Sequence, residues 1–219
     1  MIRKFRSRTG RAGAALLLAG LGACTTPGRV TEPLAIAGEE QALPWTRVMA
    51  QEHLARLEAL DGAWSAALGA ARAGGFARRI QNEGALLEPG AGRPWVSPSP
   101  GSYRCRRIRL GSPGRGGAMA VAGPFFCHMG DEGEQLSLTQ QTGPERPGGY
   151  LWRDGDRRMV FIGALARGRE GMPPAYGEDS ARDVTGLFER IGAFRYRLVI
   201  PREAGMIEVL ELVPALPPA

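Results

Sequence analysis

The residues of this chain that could do chemistry are few, and their spacing excludes more than it offers. Its 219 residues include two histidines, His53 and His128, and three cysteines, Cys24, Cys105 and Cys127. No Cys-x-x-Cys spacing, H-E-x-x-H pair or G-x-S-x-G elbow occurs. A histidine-rich metal site, a zincin and an α/β-hydrolase nucleophile therefore have no residues to build them, and no metal or cofactor is implied. Cys105 and Cys127 read as a disulfide across a hairpin, because a direct pairing would turn near residue 116, inside the cluster Gly111, Pro113, Gly114, Gly116, Gly117. A redox or metal pair is the alternative, with His128 the only histidine nearby. In a strand His128 points away from its neighbour Cys127 and is expected to be exposed. His53, one residue before an apolar stripe, is expected to face solvent.

One carboxylate stands out. If residues 201–206 form the last hairpin turn, Ile200, Leu198, Tyr196 and Phe194 face Ile207, Val209, Glu211 and Val213. Glu211 then lies on an otherwise apolar face beside Tyr196, a candidate buried polar site. Such an acid is either salt-bridged and structural or tuned for acid-base work. A register slip of one residue would turn it outward. No catalytic residue is assigned.

Cys24 ends the run Leu21, Gly22, Ala23, Cys24 after an uncharged apolar stretch, and Arg3, Lys4, Arg6, Arg8 and Arg11 precede it. Basic residues, a short apolar core and small residues at the exit form a secretory signal, here residues 1–23, too short for a permanent span. The four residues closing on Cys24 resemble the lipobox of bacterial lipoproteins, which implies cleavage before Cys24 and acylation of its thiol. One chain would hold only marginally, but proteins of that type carry more than one, which implies stable anchoring. Thr25 occupies the position where inner-membrane retention usually has Asp, so the expected location is the periplasmic face of the outer membrane. In that oxidising compartment a disulfide persists.

Cleavage also removes the basic charge. Five of the 28 basic residues and none of the 22 acidic ones precede Cys24, which leaves 23 against 22. The mature protein is nearly neutral, and no nucleic-acid partner is implied.

Residues 24–44, the lipidated cysteine and a Pro-containing linker, reach at most ~70 Å when extended. Residues 45–100 read as a helical segment and a Pro/Gly-rich connection. Thr46 can cap the first helix with Trp45 as staple, and Leu54, Leu57, Leu60, Trp64 and Leu68 recur at helical spacing, with a kink near Asp61 and Gly62 and an end at Gly74 and Gly75. Residues 101–219 read as an antiparallel β domain packed with the helix. Alternation predicts eight strands, at about 102–110, 118–129, 134–142, 148–153, 158–167, 184–191, 194–200 and 206–213. Asp154 and Gly155 signal a two-residue hairpin. The fold class is mainly β with an N-terminal helix (α+β), an eight-stranded up-and-down barrel, lipocalin-like; an open twisted sheet or sandwich is the alternative.

The segments Gly101 to Arg106, Phe125 to Cys127, Gly148 to Leu151, Met159 to Ala164, Tyr176 Gly177, Glu189 to Gly192 and Glu211 to Pro214, with the Leu57 to Trp64 helix, occur in an order that resembles an uncharacterised family of bacterial envelope lipoproteins, domain of unknown function 4893. The similarity spans roughly residues 45–214, departs from the family at Thr142 to Pro147, and implies no reaction. Two functions follow. The preferred one is a noncatalytic, lipid-tethered ligand-binding or envelope-maintenance module, whose barrel interior or mouth holds a small apolar ligand or a segment of an envelope protein. The alternative is an envelope hydrolase using Glu211.

Overall fold

Alternating side chains and glycine-rich turns after Gly101 produce eight strands: β1 Gly101–Leu110, β2 Met119–Asp131, β3 Leu136–Gln140, β4 Glu145–Asp154, β5 Arg158–Arg167, β6 Asp183–Arg190, β7 Tyr196–Pro201 and β8 Ile207–Pro214. Each pairs antiparallel with the next, and β8 returns to β1, so the sheet closes into a barrel rather than an open sheet or sandwich. Closure gives every strand a neighbour on both sides, although β2 meets β3 only over Cys127–Asp131. The computed structural model describes residues 45–111 and 117–215. The expected signal peptide, Cys24 and the expected linker lie outside the described residues.

The barrel interior is filled. Tyr103, Cys105, Cys127, Met129, Leu138, Leu151, Phe161, Phe188, Tyr196, Leu198 and Leu210 form one buried cluster, as expected when eight strands enclose a space the width of their side chains. Gly149 and Gly163 face each other across β4 and β5, and a Cβ on either would strike the other strand's backbone. Cys105 and Cys127 are bonded. They are diagonal rather than directly opposite, because Tyr103 pairs with Cys127 and Cys105 with Phe125. Between Cys105 and Arg107 the register shifts, and β2 carries one extra residue at Gly123 and Pro124. The hairpin itself is centred between residues 114 and 115 rather than at 116, and the bulge's extra residue brings the two cysteines from three register steps apart to two, onto the same face.

The helical segment wraps the outer wall in pieces: α1 Trp45–Val48, α2 Gln51–Glu58, α3 Leu60–Ala71 and α4 Ala77–Glu83. Thr46 lies inside α1 and not at a cap position; the first free N–H of α2, on Ala50, is satisfied by the Tyr176 hydroxyl at 3.0 Å. The break falls at Ala59, not at Asp61, and Gly62 is helical. Gly75, at φ +88°, ends the longer run as predicted. The break divides the apolar stripe. Leu54 and Leu57 pack with Met49 on Val160 and Ile162 of β5. Leu60, Trp64 and Leu68 cover Ile108, Val199, Ile207 and Val209 of β1, β7 and β8.

Arg197 fixes the second patch. Its side chain is 0% exposed, with its guanidinium 4.5 Å over the Trp64 ring. It donates to Glu189 at 2.8 Å and to the carbonyls of Ala85 (2.8 Å), Leu86 (3.1 Å) and Glu88 (2.8 Å). These carbonyls follow α4, where a helix end leaves its last acceptors free. The Asp154 turn is longer than predicted, since Asp154 pairs with Arg158 across the three residues Gly155, Asp156 and Arg157.

Candidate functional site

Each mouth of the barrel carries a recess, and the last hairpin decides which residues line it. Pro201 pairs with Ile207, so the loop has five residues, Arg202 to Met206, and not six. Ala204 (φ +54°) and Gly205 (φ +69°) turn the chain there. The register therefore differs by one from the predicted pairing: Tyr196 faces Leu212, and Glu211 lies beside Arg197 on the outer wall. Tyr196 and Glu211 point to opposite sides of the sheet, and the predicted polar site does not form. Glu211 is nonetheless well covered. Its carboxylate accepts from Arg106 Nε and from Arg195 Nε at 2.5 Å, and Arg106 also donates to Glu83 of α4 at 2.9 Å. The Glu83 hydrogen bonds, and then Glu211, raise the Arg106 pKa against the cost of burial. Glu211 is thus the salt-bridged structural acid of the two readings.

Glu208 takes the inner position at the mouth formed by the β1–β2, β3–β4, β5–β6 and β7–β8 connections, the upper mouth. Its side chain is 1% exposed. Arg107 Nε lies 3.1 Å from Oε1 without hydrogen-bond alignment, and Arg109 Nε donates to Oε2 at 3.0 Å. Arg107 also donates to Gln140 Oε1 and to the Glu145 carbonyl, both at 2.7 Å. Burial lowers the Arg107 pKa, against the pull of Glu208. Arg109 continues to Glu145 at 2.6 Å; burial opposes its charge, but Glu208 and Glu145 outweigh that and raise its pKa. This chain of alternating charges floors a polar cleft of about 490 Å³, walled by α2 and the β5–β6 and β7–β8 connections.

His53 stands in the α2 wall of this cleft and corrects the expectation of a solvent-facing histidine, for it is 2% exposed. Its Nδ1 and the Tyr176 hydroxyl are 2.6 Å apart. Because that oxygen already accepts from Ala50, its own proton suits Nδ1 of a neutral imidazole protonated on Nε2. Burial holds His53 below its ordinary pKa and Arg56 adds to this, against Glu52 and Asp183. Tyr176, 123 residues away in sequence, gives no local sign of this contact. His128 is exposed, as predicted. No three His, Cys, Asp or Glu side chains converge as a metal site among the described residues.

The lower mouth is apolar. Here β1 starts and β8 ends, and Phe194, Tyr196, Tyr103, Pro100 and Pro214 line a groove of about 330 Å³. Its neighbouring segment is pinned, with Arg93 N–H donating to the Arg190 carbonyl at 2.8 Å, Arg190 Nε donating to the Pro94 carbonyl at 3.1 Å, and Val96 in the barrel core. Trp95 between these anchors is turned outward at φ +61°.

The fold and its two recesses define a closed, side-chain-filled eight-stranded barrel with a helical wrap and a ligand-sized recess at each mouth. The family model described as Domain of unknown function (DUF4893) matches residues 45–212, and the chain belongs to that family. No curated protein matches the chain, and no solved structure does.

Proposed function

We propose that this protein is a lipid-anchored periplasmic module, held to the outer membrane through Cys24, that binds a ligand at a barrel mouth and catalyses nothing. One observation carries the reading: the inner carboxylate is charge-compensated by its own arginines, while a recess of about 330 Å³ with an apolar lining stays open at the other mouth. A general base needs a free, tunable carboxylate, and Glu208 is held between Arg107 and Arg109. A mouth with mostly apolar walls and a few polar groups suits a small apolar ligand or a segment of an envelope protein. The hydrolase alternative through Glu211 is weaker, because two arginines hold that carboxylate on the outer wall.

The anchor is tested by fractionating cells that express the full chain or its Cys24→Ser variant. The wild-type protein is expected in the membrane fraction and the variant outside it. Equal membrane association of both contradicts the anchor.

A further inference from the structure

The charges on the floor of the upper cleft are balanced, but its hydrogen bonds are not. Arg107 donates to Gln140 and to the Glu145 carbonyl, and Arg109 joins Glu208 Oε2 to the Glu145 carboxylate. Two neighbouring atoms are left over. Arg107 Nε lies 3.1 Å from Glu208 Oε1, yet its N–H is not aligned on that oxygen, and among the described residues neither atom has a hydrogen-bond partner. Both side chains are covered, at 4% and 1% exposure. Glu208 itself lines the cleft of about 490 Å³, so the unsatisfied pair stands at its floor. A covered ionised group that lacks a hydrogen bond is costly, and the occupant of the cleft is placed to supply it.

The two atoms specify the chemistry of that occupant. Arg107 Nε requires an acceptor and Glu208 Oε1 requires a donor, side by side. A carboxylate or phosphate only accepts and is repelled by Glu208; an ammonium only donates and is repelled by Arg107. A hydroxyl does both. The ion pairs point the same way, because Arg107 and Arg109 are already matched by Glu208 and Glu145, so a net charge brought to the floor finds no free counter-charge among them. Thr185, Ser180 and Arg202 continue the polar lining above, and the volume lies within the span of small-molecule sites.

We propose that the upper cleft binds a neutral polyhydroxylated compound of the saccharide type, one hydroxyl of which accepts from Arg107 Nε and donates to Glu208 Oε1. This site is separate from the apolar recess at the other mouth and does not depend on it.

The test uses the Cys24→Ser protein, kept free of glycoside detergents, in calorimetry and native mass spectrometry. The probes are glucose, galactose, mannose and N-acetylglucosamine, with gluconate and glucosamine as charged counterparts. At least one neutral sugar is expected to bind, one molecule per chain, and the charged counterparts severalfold more weakly. Ser180→Trp, at an exposed position on the cleft wall, fills the cleft without touching the core and is expected to abolish binding. Glu208→Gln is expected to weaken it about tenfold, the worth of one hydrogen bond to a charged group. Phe194→Ala, at the other mouth, is expected to bind like the parent. If the parent takes up no neutral sugar, the saccharide site is overturned. Equal binding by the parent and Ser180→Trp, or by the parent and a folded Glu208→Gln, places the sugar elsewhere and overturns the assignment, and tighter binding of gluconate or glucosamine than of every neutral sugar overturns the neutral class.

Discussion

The Arg197 guanidinium lies 4.5 Å over the Trp64 ring and reaches past it to three carbonyls after α4, so one side chain of β7 joins the barrel wall to two parts of the helical segment. Truncation removes the cation and strands Glu189 and the three acceptors. Arg197→Ala is expected to cost about 3–5 kcal/mol by denaturant titration. A loss below about 1 kcal/mol means the wrap is held by apolar burial alone.

The Cys105–Cys127 bond closes a loop of 22 residues in sequence separation inside the filled core. Reduction, or replacement of both cysteines by alanine, is expected to lower stability by ~3 kcal/mol. Unfolding midpoints with and without reductant check it, and coincident curves count against a stabilising bond.

Glu211→Gln leaves Arg195 without its charged partner and Arg106 paired with Glu83 alone on the outer wall. The expected result is a stability loss of about 1–3 kcal/mol with both recesses left as they are, because Glu211 lines neither of them. A variant that keeps full stability contradicts the structural role of the Glu211 ion pairs.

His53 makes stability depend on acid. Its folded pKa is lowered, chiefly by burial, from an ordinary value of 6.5. Above that value both folded and unfolded chains carry it neutral; below it the unfolded chain takes up a proton that the folded chain resists, so stability falls as the pH drops below about 6.5. Protonation also ends acceptance at Nδ1 from Tyr176. Thermal midpoints from about pH 8 to pH 5 are expected to decline more steeply in the wild type than in His53→Gln. Parallel profiles would mean that His53 contributes nothing to the acid response.

Most of the barrel was legible in the sequence because its strands alternate and its turns are marked by glycine, so strand number and order depend on local pattern. The disulfide was legible for the same reason, even though the hairpin is centred between residues 114 and 115 rather than at 116 and the cysteines sit on a diagonal. The site residues were less legible because they depend on counts of one. A five-residue loop in place of six exchanged Glu211 for Glu208 as the inward acid, and nothing in Glu203, Ala204, Gly205 announces which of the two lengths forms. The burial of His53 depended on Tyr176 arriving from the β5–β6 connection, a tertiary contact that helical spacing does not encode.

The central claim, a lipid-tethered module that carries a ligand, meets its most direct test in native mass spectrometry of the protein purified from the envelope of its own cells. The account predicts a chain that begins at Cys24, bears covalent acyl mass there, and releases a reproducible small-molecule adduct on activation. An unmodified Cys24 thiol or an intact leader contradicts the anchor, and the consistent absence of any adduct contradicts the ligand.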